Sequence, residues 1–157
     1  MQVQSAQEAL FIACEMERGA VQLYERARAL MSSLGREGEP LYQHLGYMLG
    51  DERKHLEQFT ALYGGLDEAL EQSLTLSAVA SSVLFKGGLM GAARAGLLKD
   101  EQSMLAFAAE AEQTAAATYR AFAQQCGDAQ AAMMLQGIAG EEDKHLETLH
   151  GYQKLLG

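Results

Sequence analysis

Two stretches of this chain read GDERKHLE (50–57) and GEEDKHLE (140–147), and their relation decides the fold. A shift of 90 residues lays one on the other, with Gly50, Glu52, Lys54, His55, Leu56 and Glu57 matched identically. A second pair precedes them. LFIACEMERGAVQLY (10–24) falls on LAFAAEAEQTAAATY (105–119) after a shift of 95, and Leu10, Ala13, Glu15, Glu17, Ala20 and Tyr24 recur. Chance likeness between Ala- and Glu-rich segments would not pick out Glu, His and Tyr at fixed offsets. The chain is therefore two copies of one helix pair, and a pseudo-twofold packing would bring equivalent residues together at the centre.

The apolar period is helical in four long segments. The first spans roughly 6–33 and ends in the loop Leu34-Gly35-Arg36-Glu37-Gly38. Pro40 stands where a first helical turn tolerates proline, and the second segment runs to about Tyr63 before Gly64-Gly65. The third starts after Asp100, a capping residue, and ends near Gln125. The fourth runs from about Asp128 to the C-terminus.

Residues 66–99 differ. LTLSAVASSVLF (74–85) suits a short apolar helix, and the Gly-rich KGGLMGAARAGLL (86–98) argues against regular structure. The segment is too long for a plain hairpin. A crossover along the bundle, with the second and third long helices parallel, explains it. Its expected role is a structural connector, with a partner surface or a channel cover as the other possibility. The expectation is one all-α domain over 1–157: a helix pair at 1–65, a crossover at 66–99 and a helix pair at 100–157.

Read in steps of three and four, each long segment gives a mostly apolar stripe broken near its middle. The first gives Leu10, Cys14, Glu17, Val21, Tyr24, and the third Leu105, Ala109, Glu112, Ala116, Tyr119. The second gives Leu41, Leu45, Met48, Glu52, His55, Phe59, Leu62. The fourth gives Ala131, Leu135, Ile138, Glu142, His145, Leu149, Tyr152, Leu156. Four carboxylates converging in a core repel one another and are costly to desolvate. Two divalent cations would neutralise them, and two neutral imidazoles would complete the coordination. Glu and His at i, i+3 share a helix face, so Glu52 with His55 and Glu142 with His145 can act together, joined by Glu17 and Glu112. A single Glu-x-x-His is worthless as a signal; two, each paired with a stripe Glu one helix earlier, are specific.

Other residues read more plainly. Tyr24 and Tyr119, two turns beyond the stripe Glu, are placed to hydrogen-bond and orient a metal-holding carboxylate. Glu15 and Glu110 lie about 200° from the stripe and are expected to be exposed. Glu141 could reach His145 at i, i+4, but its equivalent is the shorter Asp51, so Glu142 is preferred. His44 and His150 have no repeat partner and read as surface residues. Cys14 reads as a small core residue and the methionines as core fillers.

The formal net charge is -9, which excludes a general binder of nucleic-acid backbones or anionic membrane surfaces. Hydrophobic residues make up 48%, enough to fill one core. Two cysteines far apart cannot build a rubredoxin-type iron site. No signal peptide and no membrane span are read, so the cytoplasm is the expected location.

On these residues the chain resembles the ferritin-like superfamily, most closely the rubrerythrin-type di-iron proteins without their rubredoxin domain. The resemblance covers the four long helices and leaves 66–99 without a clear counterpart. It implies iron as the metal, held by Glu17, Glu52, His55, Glu112, Glu142 and His145, with Tyr24 and Tyr119 supporting them; manganese or zinc could take the same donors. It also implies oxidation of Fe(II) by O2 or H2O2, with electrons from a separate donor such as a rubredoxin-like protein. Peroxide-reducing rubrerythrins usually carry a further carboxylate one turn beyond the third-helix ligand, where this chain has Ala115. The six-residue set is nearer to the ferroxidase centre of bacterioferritin. Alternatives are metal storage without turnover, a di-metal oxygenase or a manganese catalase. A homodimer is the expected assembly.

Overall fold

The computed structural model describes residues 1–157 and contains six helices and no strand. Four are long: α1 (Ala6–Ser33), α2 (Pro40–Leu62), α5 (Glu101–Gln125) and α6 (Ala129–Leu156). Two short ones, α3 (Glu68–Ala80) and α4 (Gly88–Arg94), lie in the connector. The helix starts follow their local chemistry. Ser5 accepts a hydrogen bond from the Glu8 amide, Asp100 and Ser103 form a reciprocal capping box, and Asp128 accepts from the Ala131 amide. Pro40 opens α2, where a missing N–H costs nothing.

The repeat seen in the sequence is the repeat of the fold. α1 packs mainly on α2 and α5 mainly on α6, and the two pairs meet through α1 with α5 and α2 with α6. The cross-links give the sense of each contact. Cys14 Sγ lies 3.8 Å from Thr60 Oγ1, while Gln7 Nε2 donates to the Leu62 carbonyl at 3.2 Å, so α1 and α2 are antiparallel. Tyr24 bonds to Glu112 and Tyr119 to Glu17, so α1 and α5 are antiparallel as well.

The core is in two parts. One contains Leu10, Ile12, Phe59, Tyr119, Phe122 and Leu135; the other contains Tyr24, Met31, Leu41, Leu45, Leu105 and Leu149. Along the helices they flank the band of Glu17, Glu52, Glu112 and Glu142, all four of which are buried. A leucine at any of those positions would contribute about 2 kcal/mol by burial. The interruption is thus a cost to folding that the apolar parts on either side offset.

The connector packs on α1 and adds to both parts: Leu74 and Ala78 of α3 to the first, Ala92 and Leu98 to the second. The apolar run at 74–85 is helical only to Ala80, after which Ser82 turns the chain at φ 60°. The Gly-rich stretch, read as irregular, holds the seven-residue α4, about two turns long. Gly91 permits it: a Cβ there would sit 2.2 Å from the Lys86 carbonyl oxygen. At the far end of the fourth stripe, Leu156 is exposed, because the core ends before the helix does.

Candidate metal centre

All six residues expected to hold metal are buried and meet at one place. Their donor atoms fall into two groups that could each hold an ion: Glu17, Glu52, His55 and Glu142 in one, Glu52, Glu112, Glu142 and His145 in the other. Glu52 and Glu142 belong to both. Each imidazole turns Nδ1 inward. His55 Nδ1 is 3.0 Å from Glu142, 3.2 Å from Glu52 and 3.7 Å from Glu17. His145 Nδ1 is 2.9 Å from Glu52, 3.3 Å from Glu112 and 3.9 Å from Glu142. The i, i+3 spacing on α2 and on α6 places Glu and His of each motif over the same centre.

The outward nitrogens have partners that the sequence reading did not assign. His55 Nε2 lies 2.9 Å from Glu141 and His145 Nε2 lies 3.0 Å from Asp51, each across the α2–α6 contact. Asp51 and Glu141 are about half exposed, so each histidine runs from a solvated carboxylate to the buried cluster. A carboxylate on Nε2 puts the proton there and leaves the Nδ1 lone pair for a cation. The signal was present: the 90-residue shift places Asp51 on Glu141, an acid immediately before each stripe Glu. It was masked by expecting the contact within one helix rather than between two.

The tyrosines sit where the sequence placed them, and each crosses to the other helix pair. Tyr119 donates to Glu17 Oε1 at 2.8 Å, and Tyr24 donates to Glu112. Both rings are fully buried. Burial and the facing carboxylates hold both phenols well above their ordinary pKa, so they act as fixed donors.

Glu110 is exposed, whereas Glu15, also expected to be exposed, is only half so, because it folds along the surface to pair with Arg18. His44 and His150 are on the surface, and His44 bonds to Tyr152 at the end of the fourth stripe. Cys14 is core, as read.

The electrostatics follow from burial. Burial first, then the charge of Glu17, pushes the Glu52 carboxyl well above the usual range; burial and the charge of Glu52 do the same to Glu142. Burial works to raise Glu112 too, but its contacts with His145 outweigh that and lower it. Burial opposes charge on His145, yet the hydrogen bond that it donates to Glu112 pushes it up to about 9. His55 is raised too, because the carboxylates of Glu142, Glu17 and Glu52 close around it outweigh the opposing effect of burial. Hydrogen bonds do not satisfy the cluster: Glu17 Oε2, Glu112 Oε2 and Glu142 Oε1 are buried without a hydrogen-bond partner. Glu142 Oε1 is close to His55 Nδ1, but the alignment does not make a hydrogen bond. Buried oxygens left unpaired around one point, with imidazole nitrogens beside them, fit hard or borderline cations.

An all-helical bundle with a carboxylate–histidine cluster at its centre defines the ferritin-like class of proteins. Within that class the family model Rubrerythrin matches residues 8–152, and the chain belongs to the rubrerythrin family. Among curated proteins and solved structures, none matches the chain. No helix is long and apolar enough to cross a membrane.

Proposed function

We propose that the cluster binds two metal ions, iron by preference, and that the protein is an oxidoreductase oxidising Fe(II) with O2 or H2O2. The observation that carries this reading is the sharing of Glu52 and Glu142 by two donor groups, around three buried oxygens with no partner. Four carboxylates balance two divalent ions in charge, which removes the repulsion that raises Glu52 and Glu142. Two bound irons would supply one electron each to a two-electron oxidant.

The rest is work for the chain itself. Glu17, Glu52, His55 and Glu142 would hold one ion, and Glu52, Glu112, Glu142 and His145 would hold the other. Tyr119 and Tyr24 fix the rotamers of Glu17 and Glu112. Asp51 and Glu141 accept the Nε2 protons and so hold the imidazoles with Nδ1 inward. The buried aromatic and aliphatic residues on both sides exclude bulk water, and carboxylates, as hard ligands, stabilise the oxidised ion. A separate donor, such as a rubredoxin-like protein, returns the electrons, and the working unit is a homodimer.

Stopped-flow consumption of H2O2 by iron-loaded protein with a reducing donor tests this. Repeated turnovers support the oxidoreductase. A single stoichiometric oxidation that stops would make it a metal-storage protein.

A further inference from the structure

On the side away from Asp51 and Glu141 the metal cluster lies just beneath an open space, with Glu17, Glu112 and Glu142 each no more than 2% exposed. A cavity of about 850 Å³ lies between α1, α5 and the connector, and Glu17, Glu112, Glu142 and Tyr119 are among the residues that line it. Its walls are mainly apolar, with Met16 and Leu23 from α1, Val79 and Leu84 from the connector, and Phe107 and Ala111 from α5. Residues 66–99 therefore do more than join the helix pairs: they form one wall of this space.

The size is out of proportion to O2 or H2O2. A water molecule takes about 30 Å³ in the liquid, while pockets that hold small organic ligands run from about 300 to 1,000 Å³ and are apolar with a few polar groups. By surface this cavity has that make-up: Glu17, Glu112, Glu142 and Tyr119 of the cluster are at one part of it, and side chains such as Gln22, Thr75 and Thr114 add polar groups along the rest. Away from the cluster its charged side chains balance, since Glu15 pairs with Arg18 and Lys86 and Glu110 are opposite in charge; the net negative charge of the lining is that of Glu17, Glu112 and Glu142, which bound metal would neutralise. Ala115 lines it one turn beyond Glu112, where a longer side chain would occupy the space next to the carboxylates.

We propose that this cavity binds one small, uncharged, mainly apolar organic molecule against the carboxylate cluster. Its placement beside bound metal rests on the metal-binding reading above; the cavity itself does not.

N-phenyl-1-naphthylamine, an uncharged apolar fluorophore, is a direct probe. It is expected to bind saturably, at about one molecule per chain, as a pocket of this size allows. Ala111→Phe and Ala115→Leu each fill part of the space and are expected to weaken binding by about tenfold. Met133→Ala, on the exposed side of α6, is expected to leave it unchanged. Loading with Co(II) should quench the bound probe, because the ion would sit at the cavity wall. Circular dichroism identifies a variant that fails to fold, and quenching then decides from the unaltered chain. Failure to saturate, equal binding by both cavity variants, or fluorescence indifferent to bound cobalt would overturn the proposal. The cobalt absorption spectrum reads metal uptake separately. Cobalt bound without probe binding would leave the metal centre standing, and cavity-dependent probe binding without cobalt uptake would remove the metal centre but not the cavity site.

Discussion

The Tyr119 hydroxyl reaches across the bundle to Glu17, 2.8 Å away and 102 residues earlier in the chain. Its repeat equivalent, Tyr24, does the same for Glu112. Each tyrosine thus secures the one stripe glutamate that belongs to a single donor group. Removing the donor leaves a buried acceptor, which costs about 1–3 kcal/mol. Tyr119→Phe is expected to lower the metal-free Tm by several degrees, since a chain of this size loses about 2–4 °C per kcal/mol. It should also weaken metal binding by about tenfold or more. Calorimetry with a chelator competition checks both, and an unchanged affinity would deny the tyrosine its orienting role.

Glu52 and Glu142 enter both donor groups, so Glu52→Ala or Glu142→Ala is expected to abolish tight binding of more than one ion. Glu15→Ala and Glu110→Ala, which touch neither group, should bind as the unaltered protein does. Metal analysis after gel filtration separates these outcomes. Two ions retained by both Glu52→Ala and Glu142→Ala would show that the cluster is not the site.

Asp51 and Glu141 are half exposed while His145 and His55 are buried, and an amide in place of each carboxylate keeps an acceptor for the buried Nε2–H, so little stability is at stake. Their worth is in aiming His145 and His55. Asp51→Asn with Glu141→Gln should leave Tm nearly unchanged and reduce metal affinity by about 10–100-fold. A large loss of Tm with intact affinity would make them structural instead.

The pH dependence of the metal-free protein has a definite sign. His145 is pushed up to about 9, above its unfolded value of about 6.5. Its contribution to stability is complete below about pH 6.5 and disappears as the pH rises through about 9. Glu52 and Glu142, also raised, lose stability in the same direction, whereas Glu112, lowered, loses it only in acid. Each proton held by the folded state alone is worth about 1.4 kcal/mol per pH unit. Melting is therefore expected at lower temperature at pH 9 than at pH 6.5. Metal binding needs neutral imidazoles and ionised carboxylates, so the increase in Tm on loading should be larger at pH 8 than at pH 6. A metal-free Tm that climbs from pH 6.5 to 9 would contradict this charge assignment.

The long helices and the carboxylate band were readable because they rest on periodicity and on a repeat that fixes phase: Glu17, Glu52, Glu112 and Glu142 fall on the buried stripe wherever 3.6-residue periodicity holds. The i, i+3 motifs carried the histidines with them. Contacts set by the angle between helices were not readable. Asp51 meets His145, and Glu141 meets His55, only once α2 and α6 are packed. The bounds of α3 and α4 were out of reach for another reason. The connector has no period of its own, and its shape is set by the α1 surface it covers and by a single close approach at Gly91.

An anaerobic Fe(II) titration of the metal-free protein, followed by H2O2 while the near-ultraviolet absorption of oxidised iron is recorded, tests the central claim most directly. Saturation at about two irons per chain, as the paired carboxylate–histidine arrangement requires, with a prompt absorption change is the result expected. No saturable binding, or binding lost equally when exposed carboxylates such as Glu110 are changed, would contradict it.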